Sequence, residues 1–224
     1  MKHVLGMTLL ALAAYALAPS TAKASPAAEP GPPSAATLSP ASAPDLPSAA
    51  ALAMKHWVLA DADAGGRPFA IVDKLAARLL VFHADGRQAG ASTVLLGRTV
   101  GDHEPAGVGE RTQLGQLRDG DSTTPAGRFE TAPGKNLQGE VVVWLDYRSA
   151  FAIHRVRPGP AGPDRLRRMA SSSAADKRIS AGCVVVPVAF FESVVRPLLG
   201  LQPSVVYVLP EDGEWQRMVA HANP

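Results

Sequence analysis

Three rhythms of apolar and polar residues follow one another along the chain. Residues 4–18 are almost wholly apolar, and residues 25–50 are mostly Pro, Ala and Ser with little to bury. From Arg67 onwards, short apolar runs alternate with turns marked by Gly, Asp and Pro, the rhythm of a β-rich chain. Between the last two, residues 48–59 read as a short helix carrying Leu52, Lys55 and His56. Residues 67–73, 77–83 and 91–96 read as three strands, and Asp85-Gly86 between the second and third is a hairpin signal, so an antiparallel meander is expected. Residues 129–131, 140–146, 149–155 and 204–209 read as further strands. On these, Val141, Val143 and Leu145 share one face, as do Phe151 and Ile153, which leaves His154 on the opposite face with Ala152.

The connections carry their own signals. Residues 97–124 are rich in Gly, Asp and Arg and read as a long structureless loop. His103 lies there beside Asp102, Glu104 and Glu110, but the spacing matches no metal-ligand pattern, so a solvated loop is expected and no metal. Residues 124–129, Thr-Pro-Ala-Gly-Arg-Phe, read as a turn. Residues 164–170 read as a short helix, and residues 188–196 as an amphipathic helix with Pro187 at its first position and Pro197 ending or kinking it. Residues 211–222 read as a peripheral helix. The fold class is therefore mainly β, a sandwich or barrel-like domain with a few short helices.

The N-terminal rhythm bears on location. Lys2 and His3 form a basic start, the apolar run is too short for the about 20 residues of a membrane-spanning helix, and Ala22-Lys23-Ala24 suits a signal cleavage site. A secretory signal peptide over 1–24, a linker over 25–50 and a folded domain over 51–224 are expected, with export to a periplasm or cell envelope and no stable membrane span. The formal charge of +2 comes from Lys2 and Lys23, so the remainder is neutral, with no basic aromatic stripe that would recognise nucleic acid.

Export makes the cysteine count informative. Cys183 is the only cysteine of the chain, so it forms no internal disulfide, and a Cys-x-x-Cys redox motif is absent. It follows Ser180-Ala181-Gly182, small residues that let the backbone turn sharply and approach a substrate. A thiolate attacks carbonyls, and a cysteine of ordinary pKa near 8.5 gains from an adjacent base. His154 is the candidate base, Cys183 the nucleophile, and the Gly182 and Cys183 N–H groups the candidate donors to an oxyanion. The competing reading is a buried thiol and a core histidine.

The combination of Ile153-His154, Ser180-Ala181-Gly182-Cys183 and the Thr124-Pro125-Ala126-Gly127-Arg128-Phe129 turn resembles the L,D-transpeptidases, the YkuD-type domain, over roughly residues 68–209. The resemblance implies a β-rich fold, no cofactor, peptidoglycan stem peptides as partners and carbapenems as inhibitors. It implies that Cys183 attacks the carbonyl of the third residue of a tetrapeptide stem, that D-alanine leaves, and that an amine takes the acyl group to form a 3→3 cross-link. Ser180 matches the first motif position and is expected to shape the loop through its hydroxyl. The chain departs from the pattern at Ala181, where many members have His, at Val185, where many have Arg or Asn, and at Arg155, where many have a small residue. The interval from His154 to Cys183 is also long and rich in Arg and Pro. Arg155, Arg157 and Arg178 are the candidates for the carboxylate contact that Val185 does not make. Two alternatives remain: a hydrolase on the same fold, either an L,D-carboxypeptidase or an amidase that releases wall-linked protein, and a non-catalytic wall-binding module.

Overall fold

The computed structural model describes residues 46–220, so the expected signal peptide over 1–24 and the linker over 25–50 as far as residue 45 lie outside it. Eleven strands appear among the described residues: β1 (Phe69–Asp73), β2 (Arg78–Phe82), β3 (Gln88–Thr93), β4 (Leu96–Gly97), β5 (Gly127–Glu130), β6 (Ala132–Lys135), β7 (Val141–Asp146), β8 (Phe151–Arg155), β9 (Arg178–Ser180), β10 (Val184–Val186) and β11 (Val205–Val208). They form a five-stranded sheet in the order β3-β2-β1-β11-β5, a four-stranded sheet in the order β10-β8-β7-β6, and the pair β4-β9. The fold is mainly β, and neither larger sheet closes into a barrel among the described residues. The meander β1-β2-β3 is antiparallel, whereas β1 with β11, β8 with β10, and β4 with β9 run parallel.

Burial explains the sequence rhythm. β1 and β2 are buried at every position, so they read as continuous apolar runs. One face of the five-stranded sheet, with Ala70, Val72, Leu79, Val81, Val206 and Val208, shares a core with Val143, Phe151, Ile153, Val184 and Val186 of the four-stranded sheet. The other face, with Phe69, Ile71, Leu80, Phe82, Val205 and Tyr207, is covered by two helices. One is α1 (Ala49–Ala60), which buries Ala51, Met54 and Val58 and is capped by Ser48, whose hydroxyl accepts from the Ala51 N–H at 3.1 Å. The other is the C-terminal helix Trp215–Ala220, expected to be peripheral, which instead packs Trp215 and Val219 into this second core.

Three differences from the sequence expectations have physical reasons. Residues 97–124 are not structureless: α2 (Val108–Leu114) lies within them, with left-handed glycines, Gly107 and Gly115, at both ends. A Cβ on Gly109 would stand 1.7 Å from the Arg148 carbonyl oxygen, so this helix docks backbone to backbone, without the apolar stripe that announces a helix in sequence. After α3 (Gly162–Met169), the next α-helix has Pro187 as its N-cap rather than its first residue. It runs as α4 (Val188–Phe190) into a π-type segment, Phe191–Gly200, that continues past Pro197. Phe191, Val195 and Leu199 are buried in the main core, and that burial outweighs the missing proline N–H. Finally, β6, β9 and β10 are three or four residues long, and β6 reads Ala-Pro-Gly-Lys, a composition tolerated at a sheet edge.

Candidate active site

Strand alternation sorts side chains between the main core and a cleft on the outer face of the four-stranded sheet. From β7, Val143 and Leu145 enter the core while Val142 and Trp144 line the cleft. From β8, Phe151 and Ile153 enter the core while Ala152 and His154 line the cleft. At β10, Val184 and Val186 enter the core while Cys183 and Val185 line the cleft. The parallel register sets Val185 beside His154, so Cys183, two residues earlier, shares the His154 face. The cleft has a volume of about 450 Å3, within the range of small-ligand sites. One wall comes from Thr112 and Gln113 of α2, another from Lys135 to Gln138 at the β6–β7 connection, and a third from Arg157 and Arg165.

The loop before Cys183 is fixed from within and from behind. The Ser180 hydroxyl donates to the Cys183 carbonyl at 2.7 Å and accepts from the Gly182 N–H at 3.1 Å. Gly182 has φ of +123°, and a Cβ there would lie 2.8 Å from the Thr123 carbonyl oxygen, so a side chain at this position would be strained and crowded. The Gly182 N–H, expected at an oxyanion, is therefore engaged inside the loop. Behind the loop, the Thr124 hydroxyl donates to the Gly182 carbonyl at 2.7 Å and accepts from the Gly97 N–H at 2.8 Å. The fully buried Lys74 ammonium in turn donates to the Thr124 carbonyl at 3.0 Å, to the Gly101 carbonyl at 2.7 Å and to Asp102 at 2.5 Å. Sequence reading recognised the turn at Thr124 but missed this contact, because only the fold shows that the turn backs onto the cysteine loop. Lys74 carried no signal at all.

His154 Nδ1 lies 2.8 Å from the Arg155 carbonyl oxygen. A carbonyl only accepts, so Nδ1 carries the proton in the neutral ring and Nε2 keeps its lone pair. Burial is the main cause that lowers the His154 pKa from 6.5 to about 4, and the charges of Arg157 and Arg165 add to it against the Arg155 hydrogen bond and Glu140. Burial likewise pushes the Cys183 thiol up, opposed by a backbone hydrogen bond from Ala152 and by Arg157. The thiol donates weakly to the Ala150 carbonyl at 3.4 Å. At neutral pH the site thus holds a neutral imidazole and a neutral thiol, and attack requires a proton to move as the sulfur–carbon bond forms.

Two of the expected substrate contacts lie elsewhere. Arg155 projects to the core side of its strand and pairs with Glu192 at 2.9 Å. Arg178 is held by Glu211 at 2.8 Å, with its side chain largely buried. Neither lines the cleft, because each directly adjoins a cleft-facing position on its strand or has its guanidinium drawn away by a carboxylate. Arg157 does line the cleft and pairs with Glu140 at 2.8 Å. Arg98, Lys135 and Arg165 line it too, and no motif in the sequence singled them out.

The fold and site together define a mainly β protein with a cysteine and a histidine in one cleft. No protein-family model matches the chain, and no curated protein matches it. Among solved structures, the chain is similar to the crystal structure of the L,D-transpeptidase from Xylanimonas cellulosilytica, with 18% identity and a TM-score of 0.40. The match covers 63% of this chain and spans 60% of that one.

Proposed function

We propose that this chain is an exported peptidoglycan L,D-transpeptidase that works through a Cys183 thioester. The observation that carries the reading is the shared cleft of Cys183 and His154, in which Arg155 holds the imidazole with Nε2 as its basic atom. The Ser-x-Gly-Cys and Thr-Pro-x-Gly-x-Phe motifs of the sequence support it. In the proposed reaction the Cys183 thiol proton passes to His154 Nε2 as sulfur bonds to the carbonyl of the third stem residue. Collapse of the tetrahedral intermediate breaks the bond to D-alanine, whose amine takes the proton from His154. An acceptor amine then attacks the thioester and gives a proton to His154. Departure of the sulfur and return of that proton restore the thiol. The Cys183 N–H faces the oxyanion, and Gly182 joins it only by releasing Ser180.

Purified protein incubated with tetrapeptide-bearing muropeptides and analysed by mass spectrometry tests this reading. A 3→3 dimer, absent with Cys183→Ala, is expected. A tripeptide in place of the dimer would identify an L,D-carboxypeptidase on the same nucleophile, and no product would favour a wall-binding module. Carbapenem adducts should form on the intact protein, fail with Cys183→Ala, and form far more slowly with His154→Ala. Equal labelling of all three proteins would remove both assignments.

A further inference from the structure

The cleft has an unusual charge balance. Four basic residues line it, Arg98, Lys135, Arg157 and Arg165, and none of its lining residues is Asp or Glu. Most arginines elsewhere among the described residues are paired: Arg67 with Glu130, Arg111 with Asp121, Arg128 with Asp63, Arg155 with Glu192, Arg178 with Glu211 and Arg217 with Asp212. Among the described residues, Arg98, Lys135 and Arg165 form no ion pair, and Arg157 has Glu140 alone. Arg165 is half-buried at the wall of the cleft, where an unpaired guanidinium is less favourable than on open surface. A chain that pairs most of its arginines leaves unpaired cations around its cysteine, which fits a ligand that brings the missing anions.

The positions indicate what kind of anion. The Arg98 backbone N–H donates to the Ser180 carbonyl at 3.1 Å, which puts Arg98 beside the cysteine loop. Lys135 ends the far strand of the sheet, three strand spacings from β10, or roughly 14 Å. An extended peptide of four residues covers about 13 Å. Between these ends the floor is apolar, with Val142, Trp144 and Val185. A single small anion fills neither the length nor the apolar floor.

We infer that the cleft selects a short peptide whose backbone and side-chain carboxylates are free rather than amidated, with Arg165 and Arg98 as the specificity-determining cations. The acyl-transfer reading supplies only the choice of a stem tetrapeptide as probe. Arg165 comes from α3, in the long interval between His154 and Cys183, so that interval adds charge to the cleft.

The test is calorimetric binding to the full chain carrying Cys183→Ala, with two synthetic stem tetrapeptides of identical sequence, one with free carboxylates and one amidated at each. At low salt the free form is expected to bind about tenfold more tightly, and its advantage should shrink as salt is raised. Arg165→Gln and Arg98→Gln should each weaken the free form about fivefold and leave the amidated form unchanged. Equal affinity for the two peptides, or variants that weaken both alike, would overturn the inference, as would a lack of binding by either peptide. Selective binding by a protein whose intact Cys183 forms no thioester would uphold the inference while removing the transferase reading.

Discussion

Replacing Thr124 with Val tests the idea that the Thr-Pro turn holds the cysteine loop in place. The two side chains have nearly the same shape, so the exchange removes one hydroxyl and little volume. That hydroxyl makes two bonds: it donates to the Gly182 carbonyl at 2.7 Å and accepts from the Gly97 N–H at 2.8 Å. Thr124 is only 1% exposed, so water does not readily replace the lost partner at either site. Each orphaned backbone group costs about 1–3 kcal/mol, so the pair sets an expected loss of roughly 2–6 kcal/mol. Thr124→Ser keeps the hydroxyl and gives up one buried methyl, at about 1 kcal/mol. In a domain of this size each kcal/mol lowers Tm by about 2–4 °C, so the Val variant should melt roughly 10 °C below the parent. Urea denaturation of the three proteins gives the comparison, and the alkylation rate of Cys183, the sole thiol, reports on the loop itself. If the Val variant lies within about 0.5 kcal/mol of the parent, or if Ser and Val lose equally, the hydroxyl bridge contributes nothing.

Three further outcomes follow from groups already placed. With its pKa lowered to about 4, His154 is a base above that pH and loses this form as pH falls through it; carbapenem acylation should stay level down to about pH 5 and fall near 4, and a midpoint near 6.5 would contradict the burial argument. The same shift has a stability consequence: the unfolded chain takes up this proton near 6.5 and the folded one only near 4, so His154 lowers stability progressively between those values, and the slope should flatten in His154→Gln. Lys74→Met strips two carbonyls and Asp102 of a fully buried donor and should destabilise by about 3–5 kcal/mol in urea; a change below about 1 kcal/mol would mean the loops behind the site hold without it.

What the sequence disclosed follows from how each residue advertises itself. β1, β2, β7, β8 and β11 bury several apolar residues in a row or in alternation, and that pattern is local. β10 is also apolar, but three residues before Pro187 do not distinguish a strand from a helix start. α2 escaped because its contact is glycine backbone on backbone. Cys183 and His154 stood out by residue type and parity. The partners of arginines did not, because whether Arg155 meets Glu192 or a substrate depends on a helix nearly forty residues away in the chain. Charge is legible in sequence as a count, whereas pairing is a property of the fold.

The arrangement at the site rests on a parity that only the fold can fix. Side chains alternate with a period of two, so His154 and Cys183 share a face only if the register of β8 and β10 matches their parities. The observed pairing of Val185 with His154 does so, and it also sends Ile153, Val184 and Val186 into the core. A slip of β10 by one residue would turn Cys183 inward and expose Val184 and Val186. The hydrophobic effect therefore enforces the same register that brings base and nucleophile to one cleft, and Ser180, Gly182 and Thr124 need only fix the last turn before the thiol. The interval between His154 and Cys183 takes no part in setting this register. An insertion there leaves the register untouched because the core, not the length of the connection, determines which strand faces meet.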